Sequence, residues 1–216
     1  MPPYPPPSQP PLGPLPQART VFDPADPDVN SYKLLTSLVV PRPIAWVSTV
    51  DLDGRGNLAP HSFFTVASGR PPVVLFSSLG RKDTVRNIEA TGEFVVNFSS
   101  ESMLEQVNAS SAPFEHGDDE AVELGISTES SQLVRPERVS ASPASIECRL
   151  ERIVEVGHAL VVFGHVVAIT VLDDVLEDGL PAIERLRPVS RLGRDEWGRP
   201  PEVFRLTRPD RPEDVL

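Results

Sequence analysis

The 216-residue sequence has a single cysteine, Cys148, so no disulfide can form within the chain and a reducing compartment suits it. Lysine is almost as scarce: Lys33 and Lys82 stand against eighteen arginines. Basic residues number twenty against thirty-one acidic ones, a net charge of −11. That balance argues against nucleic acid and anionic membrane surfaces as partners, because the phosphate contacts that dominate such binding need a basic face. Long apolar runs are also missing. The longest, 159–171, is interrupted by Gly164 and His165 and is too short to cross a bilayer. The N-terminus lacks a basic start followed by an apolar core, which excludes a secretory signal, and the expected location is the cytoplasm.

What is present fits one globular domain, with 39% apolar and 24% charged residues. Nine of the first sixteen residues are proline, so 1–18 is expected to be a proline-rich disordered tail; the domain is expected over 19–205 and a C-terminal tail over 206–216. Cys148 lies in SIECRLE, where apolar and charged residues alternate, and its expected role is core packing.

The periodicity predicts mostly strands. Residues 32–38 read as a short helix or strand, 43–50 as a strong strand, and DLDGRGN (51–57) as a turn opening a hairpin. Strands continue over 58–67 and 71–79, and a helix capped by Asp83 or Thr84 runs to about residue 90, with Gly92 as its stop. A strand follows over 93–99, and Ser102 with Glu105 resembles a capping box for a helix to about residue 109. The acidic stretch 114–134 holds a short helix at 120–124. Two long strands, 145–156 and 158–172, meet at Gly157, with Gly164 marking a bulge or bend. No strand-helix-strand alternation appears, so a mainly β fold, a small barrel with short helices, is favoured over a doubly wound sheet. The second long strand is apolar on both faces, which calls for a partner surface and hence a homodimer.

Three motifs are set aside. Residues 54–59 match a dinucleotide fingerprint, but Pro60 follows and no helix opens. Asp51 and Asp53 lack the spacing of a calcium loop. His116, Asp118 and Asp119 read as an acidic surface loop rather than metal ligands.

The chemistry gathers in 41–84. A helix start at 80–84 offers unpaired N–H groups, two cations and a hydroxyl to an anion such as a phosphate. Ser48 and Thr49, with residues 57–62, add short polar groups and exposed backbone for the edge of a planar ring. No nucleophile or acid/base pair accompanies them, so no catalytic side chain is assigned.

The strings RPIAWVST, NLAPHSFF, PPVVLFSS, KDTVRNI, GEFVVN, DDEAVELGI, GHALVVFGHVVAI and PVSRLGRDEW, in that order, resemble the flavin reductase-like family of FMN-binding split β-barrels over about 32–199. The resemblance implies a Greek-key-like split barrel with FMN at a homodimer interface. Carried over by position, Ser48 and Thr49 would meet the isoalloxazine or ribityl chain, and Asn57, Ala59, Pro60, Ser62 and Phe63 would line the ring. Ser77, Arg81, Lys82 and Thr84 would hold the phosphate, and Arg191 would approach the flavin from a C-terminal motif that ends at Trp197. In that motif Arg194 replaces a second glycine and tryptophan stands for tyrosine. His61 sits where an aromatic or aliphatic residue is common. The implied activity is flavin reduction by NADH or NADPH, which serves a partner oxygenase. Two alternatives stay open: an FMN-binding carrier, sensor or electron-transfer module without its own activity, and a split barrel that oxidises a small substrate such as a pyridoxal precursor.

Overall fold

Valine, isoleucine and phenylalanine alternate with small or polar residues through much of the chain, and the backbone follows that period of two. The structure is a computed structural model that describes residues 19–211; the tail expected at 1–18 and residues 212–216 lie outside them. Helix α1 (Ser31–Leu38) precedes β1 (Ala45–Val50), β2 (Gly56–His61), β3 (Phe64–Gly69), β4 (Pro72–Leu79), α2 (Asp83–Thr91) and β5 (Glu93–Phe98). Next come α3 (Leu104–Ala109), α4 (Glu120–Glu123) and a small ladder of β6 (Thr128–Glu129) with β7 (Arg138–Val139). The long strands β8 (Ala144–Val156) and β9 (Ala159–Val171) follow. Two short pairs, β10 (Leu176–Glu177) with β11 (Leu180–Pro181) and β12 (Ser190–Arg191) with β13 (Trp197–Gly198), flank α5 (Ile183–Leu186). Among the described residues no helix is long and apolar enough to cross a membrane.

Seven strands form one antiparallel sheet in the order β2-β1-β5-β8-β9-β4-β3. Its two edges, β2 and β3, are consecutive in the chain, with only Ser62 and Phe63 between them. Three residue steps span roughly 10 Å at most, so the sheet must curl until its edges nearly meet. The result is a mainly β split barrel with short helices. The expected single strand over 58–67 is therefore two strands, because the chain changes edges at a serine and a phenylalanine that carry no turn signal.

Strand β1 is buried on both faces and divides two cores. Ala45 and Val47 point into the barrel with Phe76, Phe94, Cys148 and Val162, and α2 closes one end with Val85 and Ile88. Ile44 and Trp46 point outward to Leu58, Val107 and Val139. Burial, and then the charge of Glu147, push the Cys148 thiol well above its ordinary value, in keeping with a packing role. Two buried polar side chains pin the long excursion 110–143 onto this frame. Asn97 Oδ1 accepts from the Val139 N–H (2.8 Å) while its Nδ2 donates to the Trp46 carbonyl (3.0 Å). The Glu147 carboxylate accepts the Gln132 and Leu133 N–H groups, both at 2.7 Å.

One local expectation is corrected and one is met. Ser102 does not cap α3; it lies in a 3-10 turn that precedes the helix, bonded to Ser100 Oγ at 3.0 Å, and Met103 occupies the cap position. Gly164 does mark a bulge: it pairs with Leu150 where the register shifts, Glu151 being the extra residue on β8 between Leu150 and Arg152, and a second shift falls on β9 between Val166 and Ala168. Its glycine is demanded by packing, since a Cβ there would lie 2.2 Å from Phe94 Cζ and 3.0 Å from Cys148 Cβ. Phe94 is fully buried and cannot move aside. Gly164→Ala is therefore expected to destabilise the fold by about 1–3 kcal/mol in chemical denaturation, the usual range for overpacking. Adding Phe94→Leu should recover part of that loss, and strictly additive effects in the double variant would show that the two residues do not compete for space.

Candidate functional site

The seam that splits the barrel opens into a cavity of about 550 Å³. One wall is β2 and the link, with Asn57, Ala59, Pro60, His61, Ser62 and Phe63; the end of β4 contributes Ser77, Ser78 and Leu79; the start of α2 contributes Arg81, Lys82, Asp83 and Thr84. Tyr32, Arg86, the segment 110–114, His116 and Glu120 complete it. Both prongs of the seam are tied together, since the Ser77 N–H donates to the Phe63 carbonyl at 2.9 Å.

The approach to α2 turns on Gly80, whose φ of +83° suits glycine. Lys82 takes the cap position with an extended backbone and no side-chain cap bond, where the sequence pointed to Asp83 or Thr84. Both candidates are committed elsewhere. The buried Thr84 hydroxyl accepts from Asn57 Nδ2 at 3.1 Å. Asp83 turns sideways: its carboxylate meets His116 Nδ1 (2.7 Å) and accepts from Arg86 Nη1 (2.8 Å) and the Gly117 N–H (3.2 Å). Burial opposes its ionisation, but these three partners outweigh it and hold the carboxyl below its ordinary value. The helix thus keeps its positive end and side-chain-uncapped amides at the cavity. Of the two cations there, Arg81 is bonded to Glu89, whereas Lys82 makes no ion pair among the described residues.

Two buried ionisable groups complete the electrostatics. Glu120 accepts the Leu58 N–H at 2.7 Å, and burial pushes its carboxyl up despite that bond. The His61 ring packs 4.6 Å from that of Phe76, and its Nε2 has no hydrogen-bond partner. Burial first, then the charge of Lys82, outweigh a favourable contact with the Ser77 backbone and lower its pKa to about 4. The imidazole is neutral near pH 7, packed on the barrel side against Phe76.

The structure brings Asn57, Ala59, Pro60, Ser62, Phe63, Ser77, Arg81, Lys82 and Thr84 to this one cavity. Ser48 and Thr49 do not line it; they lie beside a recess of about 130 Å³ that Asn57 also borders. There Ser48 Oγ donates to the Glu137 carbonyl (2.6 Å) and Thr49 Oγ1 accepts from Asn87 Nδ2 (3.1 Å). Arg191 lines a second cavity of about 1110 Å³, which adjoins the first at Tyr32, Pro60, Ser62 and Ser111. Sequence reasoning missed Tyr32, the 110–114 segment and Glu120. The helical pattern at 120–124 was legible, but only the barrel's curl carries that helix across β2.

The sequence profile of the flavin reductase like domain matches residues 37–186. An uncharacterized protein of Aquifex aeolicus is 41% identical over 168 residues, 75% of this chain and 86% of its own. Among solved structures, nitrilotriacetate monooxygenase component B from Bacillus cereus superposes with a TM-score of 0.84 at 31% identity, over 88% of this chain and all of that one. The 2-nitrobenzoate 2-nitroreductase of Pseudomonas fluorescens gives a TM-score of 0.82 at 28% identity, over 89% of this chain and 97% of that one.

The buried histidine sets a pH dependence. With a folded pKa of about 4 against an ordinary 6.5, the unfolded chain binds the extra proton first as pH falls, so the cost to stability is absent above about 6.5 and complete near 4. Relative to pH 7, the protein at pH 4 should lose about 3 kcal/mol through this group alone. His61→Phe should lack that component, measured as the difference between the two proteins' pH-dependent denaturation curves. Parallel curves for the two would mean that His61 is not the titrating group.

Proposed function

The chain belongs to the flavin reductase-like family, flavin-related oxidoreductases by that kinship, and on that premise we propose that the seam cavity holds FMN, with the phosphate at the start of α2 and the ring against β2. The observation that carries this reading is the uncapped end of α2, where Lys82 and the first-turn amides meet Thr84, itself held by Asn57 from β2. A cavity of about 550 Å³ is of a size to take a cofactor. In this arrangement Arg81, Lys82, Ser77 and Thr84 hold the phosphate. Asn57, Ala59, Pro60, Ser62 and Phe63 orient the ring. Ser48 and Thr49 act one layer behind, fixing the β1–β2 hairpin through Glu137 and Asn87. Bound FMN supplies the redox chemistry, so the protein's contribution is binding, orientation and the exclusion of water.

NADH or NADPH is the reductant in this reading. A partner oxygenase as acceptor is supported by the Bacillus cereus neighbour, which is named as one component of a monooxygenase. A homodimer is supported by apolar side chains left open on β8 and β9: Val156 and Ile169 are 59% and 62% exposed. Light scattering at micromolar concentration is expected to give a dimer, and a stable monomer would refute it.

Purified protein is expected to be yellow, to release FMN rather than FAD on denaturation, and to bleach anaerobically with NADH or NADPH. A bound flavin that neither nucleotide reduces would favour a carrier instead. Replacing both Arg81 and Lys82 by alanine should weaken FMN binding by about 3 kcal/mol or more, a hundredfold or greater loss. Riboflavin, which lacks the phosphate, should bind both proteins alike. Equal loss for the two ligands would point to the ring pocket or the fold, and unchanged FMN affinity would mean that the phosphate lies elsewhere.

A further inference from the structure

The second cavity carries chemistry that the flavin reading leaves unused. Its lining holds four cations, Lys33, Arg42, Arg191 and Arg194, against one carboxylate, Asp195, in a chain whose net charge is −11. Among the described residues none of those four cations makes an ion pair, although arginines elsewhere on the surface pair freely, as Arg55, Arg86 and Arg138 do.

The arrangement is built. Arg42 is buried, and its guanidinium donates to the carbonyls of Val39 (2.9 Å), Leu192 (2.8 Å) and Thr36, and to Ser62 Oγ at 3.5 Å. It thereby locks the end of α1 and the C-terminal segment to the wall shared with the flavin cavity, with four of its five N–H donors used. Arg191 follows directly: the two backbones pair, with N–H to carbonyl distances of 2.9 and 3.0 Å. Its guanidinium lies 4.8 Å from the centre of the Trp197 ring, and Nη2 donates to the Arg194 carbonyl at 3.0 Å. Neighbouring positive charge costs free energy in a half-buried place, and an anion would relieve it. Arg194 sits at φ +52°, a left-handed backbone that glycine adopts freely and arginine does not. Its exposed side chain and the remaining donors of Arg191 are not used by any hydrogen bond that holds the fold.

We propose that this second cavity is an anion site, in which Arg191 and Arg194 receive the carboxylate or phosphate of a small organic co-substrate that meets the flavin across the wall formed by Pro60 and Ser62. The assignment rests on the flavin reading for what lies beyond that wall, and on the cations alone for the charge of the ligand. Arg42 is a positioning residue here, and Trp197 holds the Arg191 head in place so that little freedom is lost on binding.

The test uses the full chain, with and without FMN, titrated calorimetrically with benzoate as the carboxylate probe and AMP as the phosphate probe. Wild type is expected to bind at least one of them, and the preferred probe identifies the anion. Arg194→Gly should weaken that binding about tenfold or more while FMN affinity stays the same. Because glycine accepts the left-handed backbone, the melting temperature should hold or rise, an outcome that a purely structural arginine would not give. Arg191→Gln keeps a planar head on Trp197 and should weaken the same probe, which preserves the test if the glycine variant does not fold. Failure of wild type to bind either probe, or wild-type affinity in the variants, would overturn the assignment. If FMN fails to bind but Arg194→Gly still weakens the anion in flavin-free protein, the flavin reading falls and the anion site stands.

Discussion

Everything in this molecule depends on a short tether. Strands β2 and β3 sit at opposite edges of a seven-stranded sheet, yet Ser62 and Phe63 are all that separates them. No flat or gently twisted sheet can satisfy that connection, so the sheet rolls up, and the roll cannot zip shut because the link occupies the place where the edges would pair. A split barrel leaves a seam with polar backbone and small side chains beside it. The β4–α2 turn at Gly80 then brings a helix start to one end of that seam. The cavity therefore follows from the topology.

Electrostatics at the seam is a matter of local arrangement against an unfavourable background. A net charge of −11 repels anionic ligands at long range, so attraction has to come from groups within a few ångströms. Asp83, inside the first turn of α2, would be poorly placed for that task if its carboxylate faced the cavity with no partners of its own. Its bonds to His116, Arg86 and Gly117 consume its acceptors, and the same bonds fasten the acidic loop as the far wall. Lys82 is left without a carboxylate partner among the described residues, whereas Arg81 is held by Glu89 along the outside of the helix.

How much of this was legible in the sequence follows from which interactions are local. The hairpin at 51–57, the helix stop at Gly92 and the two long strands were readable because turn chemistry and period-two alternation act over a few residues. The residues of 57–63 and 77–84 were legible as a group because they are contiguous runs that bracket the seam. The cap of α2 was misassigned because Asp83 and Thr84 are used by partners 27 to 34 positions away, beyond any local rule. Ser48 and Thr49 were placed near the ring on the same reasoning as Asn57, yet successive residues of a strand point to opposite faces, so Ser48 leaves the face that Thr49 shares with its register partner Asn57. Their hydroxyls turn to Glu137 and Asn87, on segments whose location no local pattern encodes. The need for glycine at position 164 was visible, but its cause, the ring of Phe94 across the barrel, was not.

The unfinished interactions of the fold are not scattered evenly. Among the described residues two buried side-chain polar atoms lack a partner, and one of them, His61 Nε2, lies in the wall of the seam cavity. The start of α2, one of three α-helices without a side-chain cap among the described residues, opens on the same cavity, and arginines without an ion pair line its neighbour. A polar atom that is buried and unsatisfied costs on the order of 1–3 kcal/mol, a cost that falls on His61 Nε2 and Ser99 Oγ and not on the exposed Arg194 or the hydrogen-bonded Arg42. The α2 amides and the cations on either side of Pro60 and Ser62 are the groups to which a ligand can bond. Any ligand that does so stabilises the folded state in proportion to its affinity and concentration, so binding and folding are linked through the same few atoms. The barrel core, by contrast, is closed and apolar, and it keeps the two strands that flank the seam in register whether or not the cavities are filled.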